Sequence, residues 1–187
     1  MSSTIFLIGY MGSGKTTLGK AVAAATGCSF VDLDDYIEHT AGMTIREIFD
    51  TRGEAAFREM EREAVLSLAG RGINLVACGG GTPCHGDNMR MLDASGLTVY
   101  LKAPHSSLLS RLKEGRAQRP LIARLNDEEL SAFISTQLAA REPFYSRAGM
   151  SFDSSRLESA AEIEASVNEF IELVSTHIPD FPKPLRP

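Results

Sequence analysis

The run Gly9-Tyr10-Met11-Gly12-Ser13-Gly14-Lys15-Thr16 carries every fixed position of the spacing G-x-x-x-x-G-K-[ST]. These residue types suit a triphosphate. Its oxygens need several donors converging on a small volume, and glycines let backbone N–H groups turn inward with no Cβ in the way. A helix beginning near Lys15 aims its positive end at the same point. Lys15 adds a charge for the β- and γ-phosphates, and the Thr16 hydroxyl is placed to ligate Mg2+. Gly12, Ser13, Gly14, Lys15, Thr16 and Thr17 are therefore assigned to ATP. The pattern follows an apolar strand and precedes an amphipathic helix, the context that separates a phosphate loop from a chance glycine-rich turn.

A second group of residues could handle the acceptor. In Phe30-Val31-Asp32-Leu33-Asp34-Asp35, a strand running to Leu33 would send Asp32 and Asp34 to the same side, near the γ-phosphate. Asp32 would then hold Mg2+ through water, and Asp34 would orient an attacking hydroxyl. The competing reading is structural: Asp35, or Asp34 in part, caps the next helix. Arg58 lies at the margin of an apolar stripe carrying Phe57 and Met60, three residues before Glu61, which can fix its fork. A planar guanidinium suits a carboxylate, although by itself the segment reads as an ordinary helical ion pair. Gly79-Gly80-Gly81 follows an apolar strand and implies backbone lying close to a ligand. Arg141 stands on a long polar helix, where it is either a solvated charge or a second anion ligand.

The elements that position these residues alternate between short apolar runs and helical stretches. Strands are expected at Thr4–Gly9, Ser29–Leu33, Ile73–Cys78, Leu97–Lys102 and Met150–Asp153. Helices are expected at Lys15–Thr26, Asp35–Thr40, a short one opened by the capping box Thr44-Ile45-Arg46-Glu47, Glu54–Leu68, Asp87–Asp93, His105–Leu112, Asp127–Arg147 and Ala160–Thr176. The arginine-rich stretch 113–125, broken by Gly115 and Pro120, reads as a mobile loop. The whole is an α/β domain over residues 1–176: a doubly wound five-stranded parallel sheet with helices on both faces. Residues 177–187, with four prolines, are expected to be extended and loosely held.

Taken together, GYMGSGKTTLG (9–19), DLDDYIEHTAGMTIREIF (32–49), GEAAFREME (53–61) and the glycine triplet resemble the shikimate kinase family, in order and at family spacing. The resemblance spans roughly residues 4–175. It implies a P-loop kinase that moves the γ-phosphate of ATP, with Mg2+, to the 3-hydroxyl of shikimate. It implies that Arg58 and Arg141 grip the substrate carboxylate beside a backbone N–H at Gly80, and that Asp34 holds ring hydroxyls. Gln118-Arg119-Pro120-Leu121 resembles the family's lid (about 113–125), making Arg119 a cation for the transferring phosphoryl group. Arg111 is offered for the adenine, with a spacing to Arg119 one residue longer than in the family. A monomer is implied.

Composition narrows the classes. The 187 residues suit one compact domain, with 43% hydrophobic and 23% charged residues. A net charge of −5 argues against nucleic acid or a membrane surface as partner. Three cysteines make no disulfide framework and fit a reducing cytosol, and Cys78 and Cys84 are taken as incidental. The N-terminus lacks the pattern of a signal peptide. Two other functions stay open: a related kinase for gluconate or nucleoside monophosphates, and a non-catalytic nucleotide sensor.

Overall fold

The structure, a computed structural model, describes residues 4–70, 72 and 75–185. Five parallel strands form one sheet in the order β2-β3-β1-β4-β5: β1 Thr4–Ile8, β2 Phe30–Asp32, β3 Leu75–Ala77, β4 Gly96–Lys102 and β5 Met150–Asp153. The central strand β1 is buried along its whole length. It pairs with β3 through Ile5 and Leu75 and with β4 through Ile5 and Leu97. A strand covered on both faces needs an unbroken apolar run, and TIFLI supplies one.

Alternate residues of β1 feed two cores. Phe6 and Ile8 join the core made by α2 (Leu33–Ala41), α3 (Ile45–Leu68), α4 (Asn88–Ser95), α5 (His105–Glu114) and α6 (Asp127–Tyr145). Ile5 and Leu7 join the opposite core with α1 (Lys15–Thr26) and α7 (Ala160–Ser175). Helices thus cover both faces of the sheet, as expected from the alternating pattern.

Three elements differ from the sequence expectation. β2 ends at Asp32, which is itself the N-cap of α2, with its side chain accepting from the Asp34 N–H. Asp34 therefore stands in the first turn of a helix, and the expected strand alternation of Asp32 and Asp34 does not occur. The two helices expected around Thr44 and Glu54 form one bent helix, α3, opened by the Thr44–Glu47 capping box. The bend is at Gly53, whose φ of 78° favours glycine. The chain after α7 is held down: Phe181 is 3% exposed in the α1–α7 core, and the Leu185 N–H donates to Ala25 O at 2.7 Å. Proline denies this segment a helix but not an apolar anchor. Ile73 and Asn74 of the expected third strand lie outside the described residues.

Candidate active site

The loop from Gly9 to Gly14 joins β1 to α1. Gly12 and Gly14 have φ of 79° and 91°, and Gly14 is the N-cap of α1. These left-handed positions curl the chain so that the start of α1 faces the cleft. Lys15 folds back over the loop, donating to Gly9 O at 2.8 Å and Tyr10 O at 3.0 Å. Burial pushes its ammonium down to about 8, against the pull of Asp34 and Asp32. A cavity of about 420 Å³ opens here, lined by Gly12, Gly14, Lys15, Thr16 and Thr17 together with Arg111 and Arg119. The nucleotide residues expected from sequence are gathered at one place, apart from Ser13, which is 1% exposed and packed beneath the loop.

Arg111 closes one side of that cavity, donating to Gly12 O at 3.3 Å and Ser155 O at 2.9 Å. Leu157 and Glu158 line it too. Their segment follows β5 and falls within 153–159, the stretch that the family resemblance offers for an adenine contact. Arg119 donates to Gly115 O at 2.8 Å, just beyond the end of α5. A Cβ at Gly115 would collide with that guanidinium.

At the carboxyl end of β2 the Thr16 hydroxyl donates to Asp32 Oδ2 at 2.8 Å. This pair joins a hydroxyl to a carboxylate, both hard oxygen donors of the kind Mg2+ accepts alongside water and phosphate. Among the described residues there is no cluster of three or more His, Cys, Asp or Glu that could hold a metal by itself. Beside the pair, burial pushes the Asp34 carboxyl up to about 6, helped by the negative charges of Asp32 and Glu61 and opposed by Lys15.

The glycine triplet faces three of the expected ligands in succession. A Cβ added to Gly79 would lie 3.0 Å from Asp34 Oδ1, one on Gly80 3.6 Å from Arg141 Nη1, and one on Gly81 3.2 Å from Arg58 Nη1. A side chain at Gly79 or Gly81 would crowd the carboxylate or the Arg58 guanidinium, whereas at Gly80 a Cβ would make ordinary contacts. Arg58 is tied to Glu61 at 2.7 Å and to Glu54 at 2.9 Å. Glu61 is 1% exposed and also accepts from the Thr82 hydroxyl at 2.5 Å. An isolated buried carboxylate would be costly, so the Arg58 fork and Thr82 are what make this one tolerable. The Arg141 guanidinium lies 5.6 Å from the centre of the Tyr10 ring, and its Nη2 donates to Gln137 at 3.2 Å. Glu61 was legible as a partner of Arg58. Thr82 and Tyr10 carried no sequence signal as partners, since a hydroxyl or ring serving another side chain looks like ordinary core; Tyr145 stands out only as the last residue of the R-x-x-x-Y segment that, with Arg141, resembles the family.

A second cavity of about 420 Å³ lies between α2 and α3, around Tyr36, Ile37, Met60 and Ser67. It shares no residue with the phosphate loop or the glycine turn. No helix among the described residues is long and apolar enough to cross a membrane.

The sequence model of the family described as shikimate kinase matches residues 11–174. The shikimate kinase of Phocaeicola vulgatus is 46% identical over 164 residues, covering 88% of this chain and 94% of that protein. A crystal structure of the shikimate kinase of Bacteroides thetaiotaomicron superposes with a TM-score of 0.88 at 43% identity, over 92% of this chain and 98% of that one. That of Acinetobacter baumannii in complex with shikimate gives 0.77 at 30% identity, over 93% and 94% of the two chains. A phosphate loop, a raised aspartate and two guanidinium groups around a glycine turn, on a chain matched almost end to end, lead to one assignment: this chain belongs to the shikimate kinase family.

Proposed function

We propose that the protein transfers the γ-phosphoryl group of ATP to the 3-hydroxyl of shikimate, giving shikimate 3-phosphate and ADP on the route to aromatic amino acids. The observation that carries this reading is the succession of Asp34, Arg141 and Arg58 along Gly79–Gly81. Two guanidinium groups supply a grip for one carboxylate, and Asp34 stands beside them for a ring hydroxyl. Gly80 contributes backbone to the same grip. In the transfer, the hydroxyl oxygen bonds to the γ-phosphorus as the bridge to the β-phosphate breaks. The hydroxyl proton passes to Asp34, whose value of about 6 suits that exchange near neutrality. Lys15 and Arg119 stabilise charge on the moving group, and positioning does most of the rest.

Thr16 and Asp32 would hold Mg2+, which when bound neutralises part of the triphosphate charge. Residues 113–125 serve as the lid, a role supported by Leu121 standing 71% exposed beside Ile122, which is fully buried as an anchor. The kinase domain is residues 1–176, working as a monomer. The free thiols of Cys28, Cys78 and Cys84 support a cytosolic setting. Burial raises all three thiols, which leaves no thiolate to compete as nucleophile.

A coupled ADP-release assay with shikimate, gluconate and nucleoside monophosphates tests the reading. Turnover with shikimate alone is expected. Turnover only with another acceptor would sink the substrate assignment, and ATP binding without turnover of any acceptor would favour a sensor.

A further inference from the structure

We infer that Tyr145 is a positioning residue for the substrate carboxylate: its hydroxyl ties the glycine turn to α6, so that Gly80 and Arg141 act as one grip. The inference rests on the carboxylate reading given above and deepens it.

The carbonyl oxygens of the turn are each accounted for. Gly79 O accepts from the Thr82 N–H at 3.1 Å and Gly81 O from the Cys84 N–H at 2.9 Å, both within the turn itself. Gly80 O instead accepts from the Tyr145 hydroxyl at 2.6 Å, a residue 65 positions away on another element, with the Cys84 thiol as a weak and distant second donor at 4.0 Å. The middle peptide of the triplet is therefore aimed from α6. In a trans peptide the C=O and the following N–H point in opposite directions, so fixing the Gly80 carbonyl fixes the Gly81 N–H directly and restrains the Gly80 N–H, expected at the carboxylate, through the residue the two peptides share.

Tyr145 stands four residues after Arg141, on the same face of α6. Its side chain is fully buried, so water does not substitute for its hydroxyl. Burial raises the phenol above its ordinary value, while the Arg141 guanidinium next to it pulls the other way. The group thus remains a donor at working pH. Its ring is braced from behind by Tyr100, with centroids 5.2 Å apart. The Tyr100 hydroxyl donates to Glu142 at 2.6 Å, and Glu142 pairs with Lys102 at 3.1 Å. One helix thereby holds both the arginine and the clamp on the turn that faces it. A glycine triplet has the greatest backbone freedom of any tripeptide, and this clamp removes it.

The test is Tyr145→Phe, which keeps the ring and removes the clamp. The shikimate KM should rise ~10-fold, the cost of a half-buried carbonyl left with only the weak Cys84 thiol donor, with kcat and the ATP KM within about twofold. Tyr100→Phe removes the neighbouring hydroxyl, which serves Glu142 and not Gly80, and should leave the shikimate KM within about twofold. In an Arg141→Ala background the effect of Tyr145→Phe should shrink to below about threefold, because the two residues form one unit. An unchanged shikimate KM in Tyr145→Phe would overturn the inference. So would an equal rise in the ATP KM, an equal rise in Tyr100→Phe, or loss of folding in Tyr145→Phe alone, which would make the hydroxyl a folding element. The substrate reading fails separately: if the wild type turns over a different carboxylate acceptor, the same KM comparison on that acceptor still decides the role of Tyr145.

Discussion

Asp34 serves two opposed demands. Its value of about 6 in the fold stands above the ordinary 3.8, so between those values the folded state holds more protons than the unfolded one. Stability accordingly falls as pH rises through that window, and at pH 7.5 the ionised carboxylate is a destabilising charge. Asp34→Asn should lower kcat by about 10²-fold or more while raising Tm by a few degrees, read by coupled assay and calorimetry. A fall in both would show that the carboxylate supports the fold. In the wild type, kcat/KM for shikimate should decline below about pH 6 as Asp34 takes a proton, and above about pH 8 as the Lys15 ammonium loses one. A profile flat from pH 5 to 9 would contradict both assignments. The phosphate loop is legible residue by residue because local spacing spells it, whereas Arg58 and Arg141 read alone as ordinary surface charges and enter the candidate site only through the family resemblance. The cap is not legible: Asp32, Asp34 and Asp35 are equally good caps on paper, and only the strand's actual end chooses Asp32.

Among the elements, α3 does the most for the acceptor side. Its bend at Gly53 separates a short segment opened by Thr44 from the longer one that carries Arg58 and Glu61. The capping box and the apolar stripe through Phe57 and Met60 predict two helices there. Their end-to-end union is not predicted, since it depends on both halves packing on one core through Ile48 and Phe57. The fork of Arg58 serves Glu61 and Glu54 within this helix while facing the glycine turn from it. Arg58→Ala should raise the shikimate KM by about 100-fold, as expected for a lost charge-assisted pair, and leave the ATP KM within about threefold. Titration of both ligands showing equal losses would contradict this placement. The variant should also lower Tm, because Glu61 is left buried with Thr82 as its remaining partner.

For the whole molecule, the doubly wound sheet was readable from alternation alone, and its strand order puts β1, which feeds the phosphate loop, in the middle. The end of the chain is held more firmly than its composition implies. Four prolines suggested a loose tail, but composition does not reveal that one aromatic side chain finds a place between α1 and α7. Phe181 and the Leu185–Ala25 hydrogen bond pin residues 177–185 against the helix that begins at Lys15. Removal of residues 177–187 should lower Tm by about 10 °C, the loss of one buried Phe and its neighbours, with kcat and both KM values unchanged at 25 °C. An unaltered Tm would return the segment to the status of a loose end.

Arg119 rests on the carbonyl of Gly115, four residues back in its own segment. That bond uses one nitrogen of the guanidinium, and the same side chain lines the phosphate-loop cavity. On the proposed reading the tether holds the cation at the rim of the pocket before any nucleotide arrives, so less ordering remains to be done when the phosphoryl group moves.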